Sequence, residues 1–112
     1  MKTIKRILFL VAVALGLASC GSNHVDVAEE FITNLNTGNY DKAKECCTET
    51  AKQFVDMAIS FKHKPVENWE TKIVKDSVSG DSAWVWFLNE KGREEKLDLT
   101  KVDGEWLVDV RK

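Results

Sequence analysis

Two adjacent cysteines, Cys46 and Cys47, are the residues whose type most invites a chemical role. Adjacent Cα atoms lie about 3.8 Å apart across a trans peptide bond, whereas a relaxed disulfide needs about 4.4–6.8 Å between them. Helical neighbours also point about 100° apart, and only two histidines exist to complete a metal site. We therefore expect no metal site, with Cys47 packed as a small apolar residue and Cys46 at the helix edge. An intermolecular disulfide through an exposed Cys46 is the alternative.

The histidines and carboxylates form no recognisable catalytic set. His24 and His63 have no serine, cysteine or aspartate partner at a readable spacing, so we interpret His24 as solvated and His63 as a cation at a helix C-terminus. The pairs Glu29-Glu30 and Glu94-Glu95 are typical of solvated faces. The sequence therefore predicts no catalytic residue and no cofactor, and it favours a protein that is not an enzyme.

The first nineteen residues have the pattern of a secretory signal. Lys2, Lys5 and Arg6 precede an uncharged run from Ile7 to Ala18. That run is shorter than the about 20 apolar residues that a membrane-spanning helix needs, and its cationic head matches a signal peptide. A buried N-terminal helix is the alternative interpretation.

The apolar run ends in Leu17-Ala18-Ser19-Cys20, which resembles the lipobox of bacterial lipoproteins. The resemblance implies cleavage before Cys20 and acylation of its sulfur and amine, with palmitate as a typical chain. Two or more acyl chains anchor a protein stably, since each buried methylene contributes about 0.8 kcal/mol. The alternative is an ordinary Cys20, either free or in a disulfide.

Removal of residues 1–19 leaves a 93-residue acidic chain, with 13 lysines and arginines against 18 aspartates and glutamates. Its net charge of −5 excludes electrostatic attraction to nucleic acid or to anionic headgroups. Residues 20–24 then form the lipidated cysteine and a short tether, and residues 25–112 form one domain close to the bilayer. Gly21 after the anchor, with no acidic run behind it, resembles lipoproteins of the outer membrane that face the periplasm.

Helical periodicity occupies the first half of this domain. Apolar residues recur at helical spacing from Val25 to Asn36, and Gly38 follows as a stop. A second stripe extends to about Lys62, and Thr50 with Gln53 has capping-box spacing, which predicts a break near residues 48–50. Pro65 closes the helical half. The members of the second stripe are Tyr40, Ala43, Cys47, Ala51, Phe54, Ala58 and Phe61.

From Trp69 onward the apolar residues recur at every second position, which is typical of β-strands. Hairpin turns predict four antiparallel strands in sequential order, at about Trp69–Asp76, Ser82–Leu88, Glu94–Val102 and Glu105–Arg111. Helices followed by strands indicate an α+β domain with the helices on one face of a four-stranded meander.

This order, with the Gly38-Asn39-Tyr40-Asp41 turn and the closing Gly104-Glu105-Trp106, resembles small bacterial lipoproteins with a lumazine-binding-like domain. Those proteins belong to the nuclear-transport-factor-2-like superfamily, whose fold is also described as cystatin-like. The resemblance implies a curved sheet that wraps a long helix, with a pocket between them. Members of this family are largely of unknown function, so the resemblance transfers no catalytic residue.

Four tryptophans, Trp69, Trp84, Trp86 and Trp106, fall in the sheet half. Core packing is one interpretation, since each such ring buries about 150–250 Å². Trp84 and Trp86 point to one side of a strand that is apolar on both faces, so with Trp69 they are our candidate ligand or partner surface.

The sequence favours a lipid-anchored, non-catalytic binding or scaffold module of the bacterial envelope. Its partner is an unknown protein or a small apolar ligand, and a homodimer through the sheet face is a further option. The alternatives are a small carrier or enzyme that acts on an apolar ligand in the pocket, and an inhibitor-type protein with one protein partner.

Overall fold

The computed structural model describes residues 20–110. The predicted signal segment and residues 111–112 lie outside the described residues. The elements are α1 (His24–Asn36), α2 (Tyr40–Glu45), α3 (Glu49–Ser60), β1 (Ile73–Ser79), β2 (Ser82–Leu88), β3 (Glu94–Val102) and β4 (Glu105–Asp109).

Three helices pack on one face of a single antiparallel sheet with the order β1-β2-β3-β4. The predicted α+β fold is therefore confirmed. Alternate residues of β2 point toward the helices, and these side chains are buried together with Leu99 of β3 and Val108 of β4. The core lies between this inner face of the sheet and α1.

Helix α1 begins at His24 because the side chain of Asn23 caps it. The Asn23 Oδ1 accepts a hydrogen bond from the backbone N–H of Asp26 at 2.8 Å. One face of the helix then supplies Val27, Ala28, Phe31 and Ile32 to the core. The helix starts one residue before the predicted position.

The chain breaks between α2 and α3 because it makes backbone hydrogen bonds with β4 there. Thr48 N–H donates to the carbonyl of Val108 at 2.9 Å, and Val108 N–H donates to the carbonyl of Cys46 at 2.7 Å. This short parallel bridge covers the outer edge of β4. Thr48 caps α3 by accepting from the N–H of Ala51, so the capping box predicted at Thr50 is wrong.

Strand β1 lies closer to the C-terminus than the predicted Trp69–Asp76. The strand spans Ile73–Ser79 and pairs through Ser79 with Ser82, which leaves Gly80 and Asp81 as a tight turn. Trp69 precedes the strand, and its Nε1–H donates to Thr71 Oγ1 at 2.7 Å. This segment is held by that side-chain bond and by a backbone bond from Leu88 N–H to the carbonyl of Lys72 at 3.1 Å, just before the strand begins. Strand β4 ends at Asp109, short of the predicted Arg111.

The predicted turn between β3 and β4 is confirmed. Asp103 and Gly104 both have positive φ, at 50° and 83°. Two consecutive residues of this kind form the tight hairpin whose twist matches that of the flanking strands. None of the helices within residues 20–110 is long and apolar enough to cross a bilayer.

Candidate ligand cleft and aromatic sheet face

An open cleft of about 350 Å³ lies between α1, α3 and the inner face of the sheet. Two residues of α1 one turn apart, Phe31 and Leu35, line it together with Phe54 of α3. The sheet contributes Phe87, Leu97 and Val110. These side chains make an apolar interior, which is typical of sites that receive an apolar group.

Residues 95, 96, 98 and 109 of the sheet also line the cleft. The strand register places the side chains of Lys96 and Asp98 on the outer face, beside Trp86 and Trp84. Glu95 accepts a hydrogen bond from Asn89 Nδ2 at 2.7 Å, and Asp109 accepts one from Thr48 Oγ1 at 2.7 Å. Both carboxylates thus have structural partners. The cleft therefore favours binding over acid–base chemistry.

The mouth of the cleft continues onto an apolar stripe of α3. Phe54, Met57 and Phe61 follow one another at intervals of three and four residues, and all three are exposed. Phe54 is 57% exposed and lines the cleft, whereas Phe61 is 78% exposed and lies outside it. The sequence placed Phe54 and Phe61 in an apolar stripe that was expected to be buried, and Val55 was not part of that stripe. In the structure Val55 is buried and the two phenylalanines are exposed. The buried face of α3 differs from the predicted face because the helix is not continuous with α2 but begins again after Thr48.

The outer face of the sheet, which points away from the helices, carries Trp84 and Trp86. Both rings are half-buried and neither packs against the core cluster. The Lys75 Nζ lies 4.9 Å from the centre of the Trp86 ring, within cation–π range. Trp69 and Trp106 instead pack against the core, so the structure separates Trp69 from the other two residues of the predicted surface.

No protein-family model matches the chain, and no curated protein matches it. Solved structures do. A protein described as a candidate nuclear-transport-factor-2-like transpeptidase from Campylobacter jejuni superposes with a TM-score of 0.58 and 20% identity, over 80% of this chain and all of that one. The domain has the nuclear-transport-factor-2-like fold. A SEC-C motif containing protein from Rhodopseudomonas palustris is also similar, with a TM-score of 0.56 and 14% identity over 88% of this chain and 83% of that one.

At this level of identity the likeness concerns the fold alone. In the nuclear-transport-factor-2-like fold of this chain, the cleft lies on the helix side of the sheet and the side chains of Trp84 and Trp86 lie on the opposite side. The chain therefore presents two separate surfaces that could receive a partner.

The structure joins Cys20 to Cys46 in a disulfide, with Cα atoms 5.4 Å apart. Cys46 is fully buried, so the alternative of an exposed Cys46 that forms an intermolecular disulfide is wrong. It lies just beyond α2, where its backbone pairs with β4. The sulfur of Cys20 can hold this disulfide or a thioether to lipid, but not both. Lipidation of Cys20 therefore stays a prediction, with a competing partner now identified.

Cys47 is a buried thiol, as predicted for a small apolar residue. Its Sγ–H donates to the carbonyl of Ala43 at 3.2 Å. Burial raises the pKa of the Cys47 thiol to about 12, against a smaller opposing effect from the charge of Lys52. The thiol is therefore protonated at neutral pH and cannot act as a nucleophile.

The two histidines have structural partners, and neither lines the cleft. His24 Nε2 lies 2.7 Å from Asp76 Oδ2, which ties the start of α1 to β1, and the ring packs edge-on against Trp106. The prediction of a solvated His24 is thus wrong. His63 Nδ1 lies 2.9 Å from Tyr40 Oη, which also donates to the His63 carbonyl. Among the described residues, no cluster of potential metal ligands is present.

Proposed function

We propose that this chain is a non-catalytic binding module of the bacterial envelope that holds an apolar group in its helix-side cleft. The observation that carries the proposal is the apolar cleft between Phe31, Leu35 and Phe54. Its volume of about 350 Å³ is at the small end of ligand sites, which span about 300–1,000 Å³. A short acyl chain or one or two apolar side chains of a partner fit that size.

The exposed stripe of α3 supports the same proposal. Phe54, Met57 and Phe61 present apolar surface beside the mouth of the cleft. Contiguous exposed apolar surface of this kind is typical of binding sites. A ligand that enters at Phe54 would also cover part of this stripe.

The proposal includes anchoring through Cys20 on the outer membrane, with the domain in the periplasm. Its support is the resemblance of residues 17–20 to a lipobox and the net charge of −5 after cleavage, which makes a basic contact with lipid unavailable. In the anchored form the Cys20 sulfur carries lipid, and Cys46 is a thiol.

A non-catalytic role accords with the chemistry of the described residues. The transpeptidase activity named for the Campylobacter jejuni protein requires an activated nucleophile. Cys46 is fully buried, Cys47 is buried and protonated, and both histidines are held by structural partners. We therefore do not extend that activity to this chain.

A matched pair of substitutions tests the cleft. We expect the chain purified from a bacterial envelope to carry a non-covalent apolar adduct in native mass spectrometry, in excess of the mass that the denatured chain shows with any lipid on Cys20. Phe54→Asp places a charge at the mouth and should reduce the adducted fraction at least about tenfold, because a carboxylate must then be desolvated beside the ligand. Phe61→Asp makes the same change at an exposed position outside the cleft and should leave the adduct in place.

Equal loss of adduct in both variants would show that the ligand lies on the α3 stripe rather than in the cleft. A wild-type chain without adduct would oppose the ligand-binding proposal and direct the search to a protein partner. A carrier is the second candidate, favoured by the open mouth of the cleft, and it would exchange its adduct with added decanoate.

A further inference from the structure

The outer face of the sheet is arranged in rows that run across the strands. The strand register places Lys75, Trp86 and Lys96 side by side in one row. The next row contains Ser77, Trp84 and Asp98, and Asp109 extends it on β4. One row is therefore positive and the adjacent row negative, with a tryptophan at the centre of each.

Three charged side chains of these rows are accessible to solvent. Lys75 and Lys96 are exposed and Asp98 is half-exposed. Over residues 20–110, none of the ion pairs that the structure forms involves Lys96 or Asp98. The two positions are two residues apart on β3, so their side chains share a face and lie about 7 Å apart along the strand.

We propose that a second copy of this chain packs on the outer face through a two-fold axis that runs across the strands, between the two rows. This axis lays the positive row of each copy over the negative row of the other. Lys96 then faces the partner's Asp98, and Trp86 packs on the partner's Trp84. Because the interface is isologous, each contact occurs twice.

The charge pattern selects this axis among the ways to stack two copies. An axis parallel to β2 would place Lys75 over the partner's Lys96, and like charges in a desolvated interface are strongly unfavourable. The axis between the rows instead pairs opposite charges while the strands of the two sheets stay nearly aligned, which is one of the two common sheet packings.

The edges of the sheet are poorer surfaces for a second copy. The edge of β4 is covered by the backbone of residues 46–48. The edge strand β1 contains an irregularity between Ile73 and Lys75, and Asp76 pairs with His24 on the helix side. Irregularities and inward charges of this kind are typical devices against edge-to-edge pairing. The outer face is therefore the favoured interface.

Charge reversal tests the proposal in the full-length chain, extracted from bacterial membranes in detergent and measured by sedimentation equilibrium at matched density. The wild type should be a dimer. Lys96→Asp or Asp98→Lys alone places like charges opposite each other and should weaken the dimer at least about tenfold. The double variant K96D/D98K exchanges the charges of both pairs and should restore affinity to within about threefold of the wild type.

Lys64→Asp is the control, since it reverses an exposed charge in the loop after α3 and should not change the dimer. Far-ultraviolet circular dichroism checks that every variant is folded. A monomeric wild type, a dimer indifferent to both single variants, or a double variant no tighter than the single ones would overturn the proposal. This outcome is independent of the helix-side cleft, because the outer face and the cleft lie on opposite sides of the sheet.

Discussion

The sulfur of Cys20 has two chemically exclusive partners, a lipid suggested by the preceding residues and Cys46 in the folded domain. The proposed anchoring makes a definite prediction. The mature chain should begin at an acylated Cys20, and after denaturation without reductant both Cys46 and Cys47 should react with iodoacetamide. Intact mass and thiol count measure this directly.

The same measurement would also reveal a chain that is not anchored. A single reactive thiol, with no lipid mass and with a peptide that links Cys20 to Cys46, would contradict anchoring. Denaturation is required in both cases because Cys46 and Cys47 are buried.

The buried Cys47 thiol predicts a loss of stability in alkali. Burial raises its pKa in the folded protein to about 12 from an ordinary value of 9.0. A group with a raised folded pKa stabilises the fold fully below its unfolded pKa, and this contribution is lost as pH rises through the folded value. The stability of the wild type should therefore decrease between about pH 9 and 12.

Cys47→Ala removes this titration. Denaturant unfolding of wild type and variant at several pH values should show a constant difference below pH 9 and a shrinking advantage of the wild type above it. A difference that is independent of pH up to 12 would refute the assignment of the titration to Cys47.

At the scale of the element, the start of α3 depends on Thr48. Its hydroxyl oxygen accepts from Ala51 N–H, and its O–H donates to Asp109 Oδ1 at 2.7 Å. Thr48→Ala removes both bonds and should destabilise the domain by about 1–2 kcal/mol, as for other helix caps. Chemical denaturation measures the change.

Thr50→Ala is the matched control, since Thr50 is exposed within the first turn of α3. It should change stability by less than about 0.5 kcal/mol. A larger effect at Thr50 than at Thr48 would mean that the capping box predicted from the sequence is correct after all.

Elements with strong local signals could be predicted from the sequence. Strands β2 and β3 have the predicted bounds, since turn residues flank a clear alternation in each case. The predictions that failed concern segments whose conformation depends on contacts with residues far away in the sequence. The break before α3 depends on β4, and the segment before β1 is held by side chains, including a contact of 2.7 Å between Thr33 Oγ1 and Thr71 Oγ1.

The candidate surfaces could be predicted in part. Alternation along β2 correctly assigned Trp84 and Trp86 to one face. The cleft was expected between helices and sheet, but its lining residues depend on the phase of α3, which a tertiary contact sets. For the same reason Phe54 was assigned to the core although it lies at the mouth of the cleft.

At the scale of the whole molecule, the proposed location makes a prediction for intact cells. A domain tethered through residues 21–23 to the periplasmic side of the outer membrane should resist added protease until that membrane is permeabilised. Cleavage in intact cells, followed by immunoblot, would contradict the periplasmic orientation. A periplasmic protein of known location provides the control.

The proposed function requires that the helix-side cleft holds an apolar group. The measurement that tests it most directly is the native mass of the wild-type chain purified from the envelope beside that of Leu35→Trp, which fills the cleft from α1. We expect a reproducible extra mass on the native wild type that disappears on denaturation, and its loss from the folded variant. A native wild-type chain with the same mass as the denatured chain, or a non-covalent adduct that survives Leu35→Trp, would contradict the proposed function.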